Sequence, residues 1–244
     1  MHLSQTAIQS LRPKSVVGGI SIEESYFLYN IIKTFNPKNI VEVGVASGWS
    51  SSIILTAVND LKKANPDAQY QFRGIDIDTH CYYDKSLPVG YTIDEVLPED
   101  AYKGEILRGN SVFAIRDHYQ ENEIDLIFID ANHKHPYPAI DLMAALPYLK
   151  ENAVVVLHDT NLPLINQDFP SFGAKYLFDE IETQFKFNCP AIKRHNEISN
   201  MGAFVINSKE ALKQEVQTTI GKFEYEMELT GDYCNSGFEN KKAA

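Results

Sequence analysis

The chain has 244 residues, of which 44% are hydrophobic and 23% are charged, and its formal net charge is −11. These values are typical of a globular protein with a sizeable core, and the excess of acid argues against nucleic acid or an anionic membrane as a partner. The 3 cysteines form no metal-binding or paired pattern. Because the N-terminus also lacks the apolar core of a signal peptide, we predict a reduced, cytoplasmic protein.

Helical and strand patterns alternate along the chain. Residues 22–35 place apolar side chains on one helical face, with acids in the first turn and Pro37 just beyond the end. Residues 39–45 predict a buried strand, and residues 48–64 predict the next helix. The later predicted elements are strands over 70–76, 104–110 and 124–130, a helix over 137–150, a strand over 153–159, a helix near 173–186, and strands near 191–197 and 201–207.

This alternation predicts right-handed crossovers between parallel strands. We therefore predict an α/β fold, with a Rossmann-like doubly wound sheet of seven strands. The sheet is mostly parallel, and its last two strands form an antiparallel hairpin at one edge. The chain shows no internal repeat, so we predict a single domain.

Two irregular segments, 79–103 and 160–171, are too long to be simple connectors. They are candidate substrate or lid loops. Their aromatic side chains line a pocket in one interpretation and serve ordinary loop packing in the other. These aromatic residues are Tyr82, Tyr83, Tyr91 and Phe169.

Polar, acidic or glycine residues follow five of the predicted strands. In an open α/β sheet, ligands bind beyond the carboxyl ends of the strands, where the strand order reverses. The pattern therefore predicts one site to which several strand ends contribute. The contributing positions are Glu42 to Gly48, Asp76, Gly109 to Ser111, Asp130 to His133, and His158 to Thr160.

The first of these strand ends runs into a turn bracketed by Gly44 and Gly48. Glycine leaves room for a ligand, and a helix that begins near Gly48 offers free N–H groups to a phosphate or a carboxylate. Ala46 breaks the dinucleotide pattern G-x-G-x-x-G, and no Gly-Lys-Ser/Thr follows to make a P-loop. A purely structural turn is the alternative. Asp76, which ends the second strand, is suited to accept two hydrogen bonds from ribose hydroxyls.

Several segments in this order resemble the class I S-adenosylmethionine-dependent methyltransferases. They are "VEVGVASGWSS", "GIDID", "RGNS", "IDLIFIDANHKHPYPAIDLMAALPYLKENAVVVLHDT" and "NMGAFVI". The likeness spans residues 20–207 and is greatest to a branch that contains macrolide-sugar O-methyltransferases and cephalosporin-hydroxylase-like proteins. It implies an N-terminal helical or lid region over 1–36, a cofactor-binding core over 37–207 and a tail over 208–244.

The resemblance also implies roles for individual residues. Gly44 and its turn hold the methionine part of the cofactor, which Glu42 and Ser50 help to orient. Asp76 takes the ribose hydroxyls, and Asn110 and Ser111 flank the adenine. The full set of implied cofactor-binding residues is Glu42, Gly44, Gly48, Ser50, Asp76, Asn110, Ser111 and Asp130.

Metal-dependent relatives place Mg²⁺ carboxylates at Asp130 and Asp159, so the resemblance implies a Mg²⁺ site there. His158 stands where some sugar-modifying relatives have an acidic ligand, and Thr160 stands where catechol-type relatives have Asn. Asp130, His158 and Asp159 are therefore the implied metal ligands. The histidine departs from the pattern because Mg²⁺ prefers oxygen ligands.

The chemistry of these residue types leads to a similar hypothesis without the family. Two carboxylates at neighbouring strand ends can hold a divalent ion, and a nearby histidine can take a proton from a hydroxyl at neutral pH. We predict His133 as the general base and Asp130 as the second catalytic residue. In the alternative interpretation, Asp130 caps a loop or helix and His133 is a structural hydrogen-bonding group.

We therefore predict transfer of a methyl group from S-adenosylmethionine to an oxygen of a small molecule, assisted by Mg²⁺. The branch implies a sugar hydroxyl or a natural product as acceptor, and self-association, which is common among relatives. One alternative is a metal-independent methyltransferase. A second is a hydroxylase-like or regulatory protein that binds the cofactor without transferring methyl. A nicotinamide-dependent dehydrogenase is disfavoured by Ala46.

Overall fold

The structure is a computed structural model that describes residues 3–166, 171–190 and 198–226. Within these ranges, seven strands form one sheet. The strands are β1 (Asn39–Val43), β2 (Gln71–Asp76), β3 (Glu105–Arg108), β4 (Ile124–Ile129), β5 (Leu149–His158), β6 (Phe185–Asn188) and β7 (Met201–Val205). The helices are α1 (Gln5–Leu11), α2 (Ile22–Phe35), α3 (Trp49–Ala64), α4 (Thr92–Val96), α5 (Ile115–His118), α6 (Tyr137–Ala145), α7 (Leu162–Ile165), α8 (Gly173–Glu180) and α9 (Lys209–Lys222), with a 3₁₀ turn over Val112–Ala114.

The strand order is β3-β2-β1-β4-β5-β7-β6. The first five strands in the chain are parallel, whereas β7 is antiparallel to both of its neighbours, β5 and β6. The chain winds outward from β1 to β3 and then returns to place β4 on the other side of β1. This reversal opens a crevice at the carboxyl ends of β1 and β4. The prediction of a seven-stranded, mostly parallel sheet with an antiparallel edge is confirmed.

The sheet edge differs in detail from the predicted edge. The helix predicted near 173–186 ends at Glu180, and the sixth strand is Phe185–Asn188. In this strand, Phe185 and Phe187 alternate with polar residues, but a four-residue run is too short for its period to stand out after a helical pattern. The strand predicted near 191–197 lies outside the described residues.

The second half of the sheet also begins earlier than predicted. The helix predicted over 137–150 ends at Ala145, and β5 begins at Leu149. Pro147 explains the early end, because proline lacks the N–H group that the next helical hydrogen bond requires.

Buried side chains cover both faces of the sheet. Ile40, Leu126 and Phe128 pack with α1 to α3 on one face. The next residue along each strand, Val41 or Ile127, packs with α6, α8 and α9 on the other face. Because side chains alternate along a strand, this arrangement explains why the central strands are apolar along nearly their whole length.

Helix α2 begins with a capping box, and the glutamate of this box also contacts the candidate site. The Ser21 side chain accepts a hydrogen bond from the Glu24 N–H, and the Glu24 carboxylate accepts one from the Ser21 N–H. This reciprocal pair fixes the first turn of the helix. In the described part of the chain, no helix is long and apolar enough to cross a membrane. The division into N-terminal region, core and tail stays a prediction.

Candidate active site

The glycine-bracketed turn after β1 packs tightly against the backbone of its own protein. Gly44 has φ +90, and a Cβ atom there would lie 2.3 Å from the carbonyl oxygen of Asp130. Gly48 has φ +87, and its Cβ would lie 2.7 Å from the Cα of Gly90. Both positions therefore require glycine, for conformation and for space. The neighbouring backbone is one reason for these glycines, and the predicted clearance for a ligand stays a prediction.

The 79–103 segment supports this turn. The Gly90 N–H donates to the carbonyl oxygen of Ala46 at 2.9 Å, and the Thr92 N–H and hydroxyl donate to the carbonyl oxygen of Ser47 at 3.1 and 2.9 Å. Ala46 itself has a positive φ of 46, which a non-glycine residue adopts only when its surroundings hold it there. The 79–103 segment thus stabilises the turn after β1 through these hydrogen bonds, and its role as a lid stays a prediction.

Asp76 holds the same turn from the side of β2. Its Oδ2 accepts the N–H groups of Val45 at 3.0 Å and Ala46 at 2.8 Å, and its Oδ1 accepts the N–H of Asp78 at 2.9 Å. A carboxylate offers about four acceptor positions, so these three bonds leave about one for a ligand. Its role as a ribose-binding residue stays a prediction.

Glu42 lies buried beneath the turn. Its two carboxylate oxygens accept the hydroxyls of Ser50 and Ser51 from the first turn of α3. Burial raises the pKa of Glu42 from 4.5 to about 8, although the two serine hydroxyls oppose this shift. Glu42 is therefore a neutral acid that ties α3 to β1, and α3 begins at Gly48 without a side-chain cap.

The predicted adenine side carries two apolar residues that the sequence reasoning missed. Asn110 follows β3, its N–H donates to the Asp76 carbonyl oxygen at 3.0 Å, and Ser111 is exposed beside it. Ile77 and Phe113, which lie next to these positions in the chain, are 67% and 55% exposed. Large apolar side chains that are exposed beside a predicted pocket are candidates for ligand contact, but their exposure can be measured only in a structure.

Acids and histidines from β4 and β5 converge on the other side of Gly44. The Nδ1 of His133 lies 2.9 Å from the Oδ2 of Asp159. The Nδ1 of His158 lies 2.9 Å from the Oδ1 of Asp130 and 3.5 Å from the Oδ1 of Asp159. The amide of Asn200, at the start of β7, donates to the same Asp159 oxygen at 2.6 Å. The structure therefore brings together Asp130, His133, His158 and Asp159, as the sequence predicted.

The charges of this cluster stabilise one another. Burial lowers the pKa of His158, but Asp130 and Asp159 outweigh it and hold that pKa well above its ordinary value. The pKa of His133 is also raised, because Asp159 outweighs burial. Burial raises the pKa of Asp159, but His158 and His133 hold it well below its ordinary value. The acids and imidazoles of the cluster, which are in direct contact, therefore favour each other's charged forms.

Glu24 of α2 is a member of the cluster that sequence reasoning missed. One of its oxygens lies 3.5 Å from the Nε2 of His158, and the other is buried without a hydrogen-bond partner among the described residues. Burial raises the pKa of Glu24, yet contact with His158 leaves it lowered overall. The S-x-x-E spacing at Ser21 to Glu24 predicts a capping box. Because this local role already explains the glutamate, the sequence gives no sign of its contact with His158.

Other histidine and aromatic residues of these segments make mainly packing contacts. His135 is fully buried, and burial lowers its pKa. The Trp49 indole donates to the hydroxyl of Ser25 at 3.0 Å and so joins α3 to α2. The hydroxyl of Tyr83 donates to that of Tyr91 at 3.1 Å, within the loop. Tyr82 is 65% exposed, and Phe169 lies outside the described residues.

The donor set can be tested for a metal ion. In the described residues, Asp130, His133 and Asp159 each offer a ligand atom within 4.8 Å of the other two. Two carboxylates with one imidazole fit a divalent cation such as Mn²⁺ or Zn²⁺ better than Mg²⁺, which prefers oxygen alone. His158 was predicted as a ligand, and its Nδ1 lies 2.9 Å from Asp130 and its Nε2 3.5 Å from Glu24. Its ligation stays an untested prediction.

Comparison with known proteins agrees with this geometry. Residues 41–160 match the model of a family described as a methyltransferase domain. No curated protein matches the sequence. The S-adenosylmethionine complex of the O-methyltransferase TomG from Streptomyces achromogenes, involved in tomaymycin synthesis, is 17% identical, with a TM-score of 0.54 over 77% of this chain and 82% of that one.

Two further solved structures share the fold. An O-methyltransferase from Bacillus cereus, in complex with S-adenosylhomocysteine, is 16% identical with a TM-score of 0.56, over 82% of this chain and 86% of that one. The S-adenosylhomocysteine-bound methyltransferase PaMTH1 from Podospora anserina is 13% identical with a TM-score of 0.52, over 82% and 84%.

The fold is that of the class I methyltransferases, and residues 41–160, which are 120 of the 244 residues, match the methyltransferase-domain model. The predicted resemblance to the class I S-adenosylmethionine-dependent methyltransferases is confirmed at this level. The placement within the macrolide-sugar and cephalosporin-hydroxylase-like branch stays a prediction, as do the cytoplasmic location and self-association.

Proposed function

We propose that this protein transfers a methyl group from S-adenosylmethionine to a hydroxyl oxygen of a small molecule, with a divalent cation held by Asp130, His133 and Asp159. One observation carries the proposal. Gly44, in the predicted cofactor turn, abuts the backbone of Asp130, in the acid–histidine cluster. A methyl donor on the turn and an acceptor hydroxyl at the cluster are therefore neighbours, as a direct transfer requires.

The cofactor side of the site offers groups of the right chemistry. The first turn of α3 has no side-chain cap at Gly48, which suits a carboxylate such as that of the methionine part. The remaining acceptor position of Asp76 suits a ribose hydroxyl. The exposed side chains of Ile77 and Phe113 suit the apolar faces of adenine.

The cluster supplies the acceptor chemistry. A divalent cation bound there lowers the pKa of a neighbouring hydroxyl and so favours the nucleophilic form. Asp159 contacts the Nδ1 of His133 and fixes the ring, which leaves Nε2 for one role. With a cation on the cluster, His133 would be a ligand and the proton of the acceptor hydroxyl would pass to solvent; without a cation, the Nε2 of His133 takes that proton. Fixing an oxygen in line with the methyl group contributes on the order of 7–11 kcal/mol in oriented reactions.

The acceptor is proposed only as a class. TomG, which shares the fold, is described by its part in tomaymycin synthesis, and this supports a small organic acceptor. A sugar hydroxyl is the further expectation from the branch that the sequence resembles. Both expectations are testable with one panel of hydroxyl compounds.

A metal-independent methyltransferase is the second candidate, because of His158. Its imidazole lies between Asp130, Asp159 and Glu24, and as a cation it balances charge that a metal ion otherwise balances. The cluster is then an acid–base group without a metal.

Methyl transfer from labelled S-adenosylmethionine to a panel of sugar, catechol and other hydroxyl acceptors tests the proposal. We expect transfer that a chelator lowers and that added Mn²⁺ or Mg²⁺ restores. Transfer that persists in chelator identifies the metal-independent candidate. Cofactor binding without transfer to any acceptor contradicts both and favours a binding protein.

A further inference from the structure

The C-terminal segment Phe223–Glu226 is bonded to the loop that carries His133. The Glu226 carboxylate accepts the N–H of His135 at 2.6 Å, and the Glu226 N–H donates to the carbonyl oxygen of His135 at 3.0 Å. This is a two-way link between residues 91 positions apart in the chain.

The same carboxylate also binds a third segment. The Phe172 N–H lies 2.8 and 3.0 Å from the two Glu226 oxygens. The next residue, Gly173, donates its N–H to the carbonyl oxygen of His133 at 2.9 Å, and a Cβ on Gly173 would lie 2.7 Å from that oxygen. Glu226 therefore joins the 133–135 loop to residues 172–173, two segments that are already in contact at His133.

Aromatic rings hold the segment in place. The rings of Tyr176 and Phe223 stack with centroids 3.9 Å apart and an angle of 6°. The buried His135 ring contacts Tyr176, Phe223 and Tyr225, with centroid distances of 5.6, 6.0 and 5.6 Å. This cluster anchors the C-terminal segment to α8, so that the Glu226 carboxylate has a fixed position.

We propose that Glu226 is a positioning residue, which fixes the 133–135 loop so that the His133 imidazole faces Asp159. The inference rests on the proposed function, because it assigns His133 to the acceptor side of that reaction. Glu226 bonds to none of the predicted cofactor-binding residues. Its loss therefore lowers the rate of transfer and leaves cofactor binding intact.

The test compares Glu226→Gln with Glu224→Gln. Glutamine retains one acceptor oxygen and places an amide donor against the Phe172 N–H, so one of the carboxylate contacts is lost and the clamp on His135 and Phe172 is weakened. Glu224 is exposed, lies two residues away and undergoes the same change of charge, so it is the matched control. Circular dichroism melting shows that each variant is folded.

We expect kcat to fall by about tenfold or more in Glu226→Gln, because small displacements of a catalytic group have large effects on rate. The Kd for S-adenosylhomocysteine and the KM for S-adenosylmethionine should remain within about twofold. The NMR signals of the His133 ring, assigned with His133→Gln, should shift in Glu226→Gln and not in Glu224→Gln.

Wild-type kcat and unshifted His133 signals in a folded Glu226→Gln overturn the inference. An equal loss in both variants also overturns it. If Glu226→Gln does not fold, Tyr225→Leu, which loosens the same segment through its ring contact with His135, is measured by the same criteria. A wild-type protein that binds no cofactor defeats the proposed function instead, and the NMR comparison still decides the role of Glu226.

Discussion

At the scale of single residues, the site depends on how charge is shared among neighbours. Asp159 has a positive φ of 57 and contacts His133, His158 and Asn200. A carboxylate in so many polar contacts orients the groups around it and stays ionised. Glu42, by contrast, is buried with two serine hydroxyls, and burial raises its pKa to about 8. The pKa values of these two buried acids are therefore shifted in opposite directions.

Asp159→Asn tests the acceptor side. Asparagine tolerates a positive φ and retains an oxygen for Asn200, so the backbone should persist. The loss of the negative charge opposite His133 should lower kcat by about 100-fold or more, while the Kd for S-adenosylhomocysteine changes by less than about threefold. Isothermal calorimetry and a methyl-transfer assay measure the two quantities. The exposed Asp94→Asn is the control, and unchanged turnover in Asp159→Asn would refute a role for this acid in the reaction.

Glu42→Gln tests the neutral acid. The folded-state pKa of about 8 lies above the ordinary value of 4.5, so between these values the folded protein binds a proton that the unfolded chain has lost. This contribution to stability is complete below pH 4.5 and is lost as the pH rises through 8.

Denaturant unfolding from pH 5 to pH 8 gives the comparison. The unfolding free energy of wild type should fall relative to Glu42→Gln, with a slope of at most about 1.4 kcal/mol per pH unit. The exposed Glu121→Gln should instead run parallel to wild type. Parallel curves for wild type and Glu42→Gln would show that Glu42 is ionised in the fold.

At the scale of elements, the β1–α3 turn is held from two directions. The Asp76 carboxylate binds its amides from β2, and the 79–103 segment covers it at Gly90 and Thr92. A turn that contains the positive φ of Ala46 needs such support to keep its conformation. If the turn binds the cofactor as proposed, we expect the 79–103 segment to affect cofactor affinity through the geometry of the turn.

Gly48→Ala tests this contact. Its Cβ would lie 2.7 Å from the Gly90 Cα, in addition to the strain of a positive φ. Gly109→Ala has the same kind of strain, with φ +73, but its nearest neighbour is 3.6 Å away, so it is the control.

We expect Gly48→Ala to lower the unfolding free energy by about 2–4 kcal/mol and Gly109→Ala by about 1–2 kcal/mol. Cofactor affinity should fall more in the first variant than in the second. Equal losses of stability and affinity in the two variants would mean that the contact with Gly90 is unimportant.

The elements that could be predicted are those with a strong local pattern. Central strands such as 124–130 are apolar along their length, and helix 22–35 has a clear face and acids at its start. β6 was missed because four residues with two phenylalanines carry little periodic signal. Glu24 and Glu226 were missed because their contacts to His158 and His135 join residues 134 and 91 positions apart, a distance at which local patterns carry no information.

At the scale of the whole molecule, the strand order brings the two halves of the site together. β1 lies between β2 and β4, so the cofactor turn and Asp76 stand on one side and Asp130 on the other. Glu24 of α2 contacts the cluster at His158, and Glu226 of the C-terminal segment holds the loop that follows His133. In the proposed reaction, the donor side and the acceptor side would meet where Gly44 abuts Asp130.

A crystal structure with saturating S-adenosylhomocysteine and Mn²⁺ is the most direct test of the proposed site. We expect ligand density beyond the carboxyl ends of β1 and β2, with the ribose at Asp76 and the sulfur directed toward Asp130, and an ion between Asp130 and Asp159. A groove that stays empty at saturating ligand, or a ligand bound elsewhere on the chain, would contradict it.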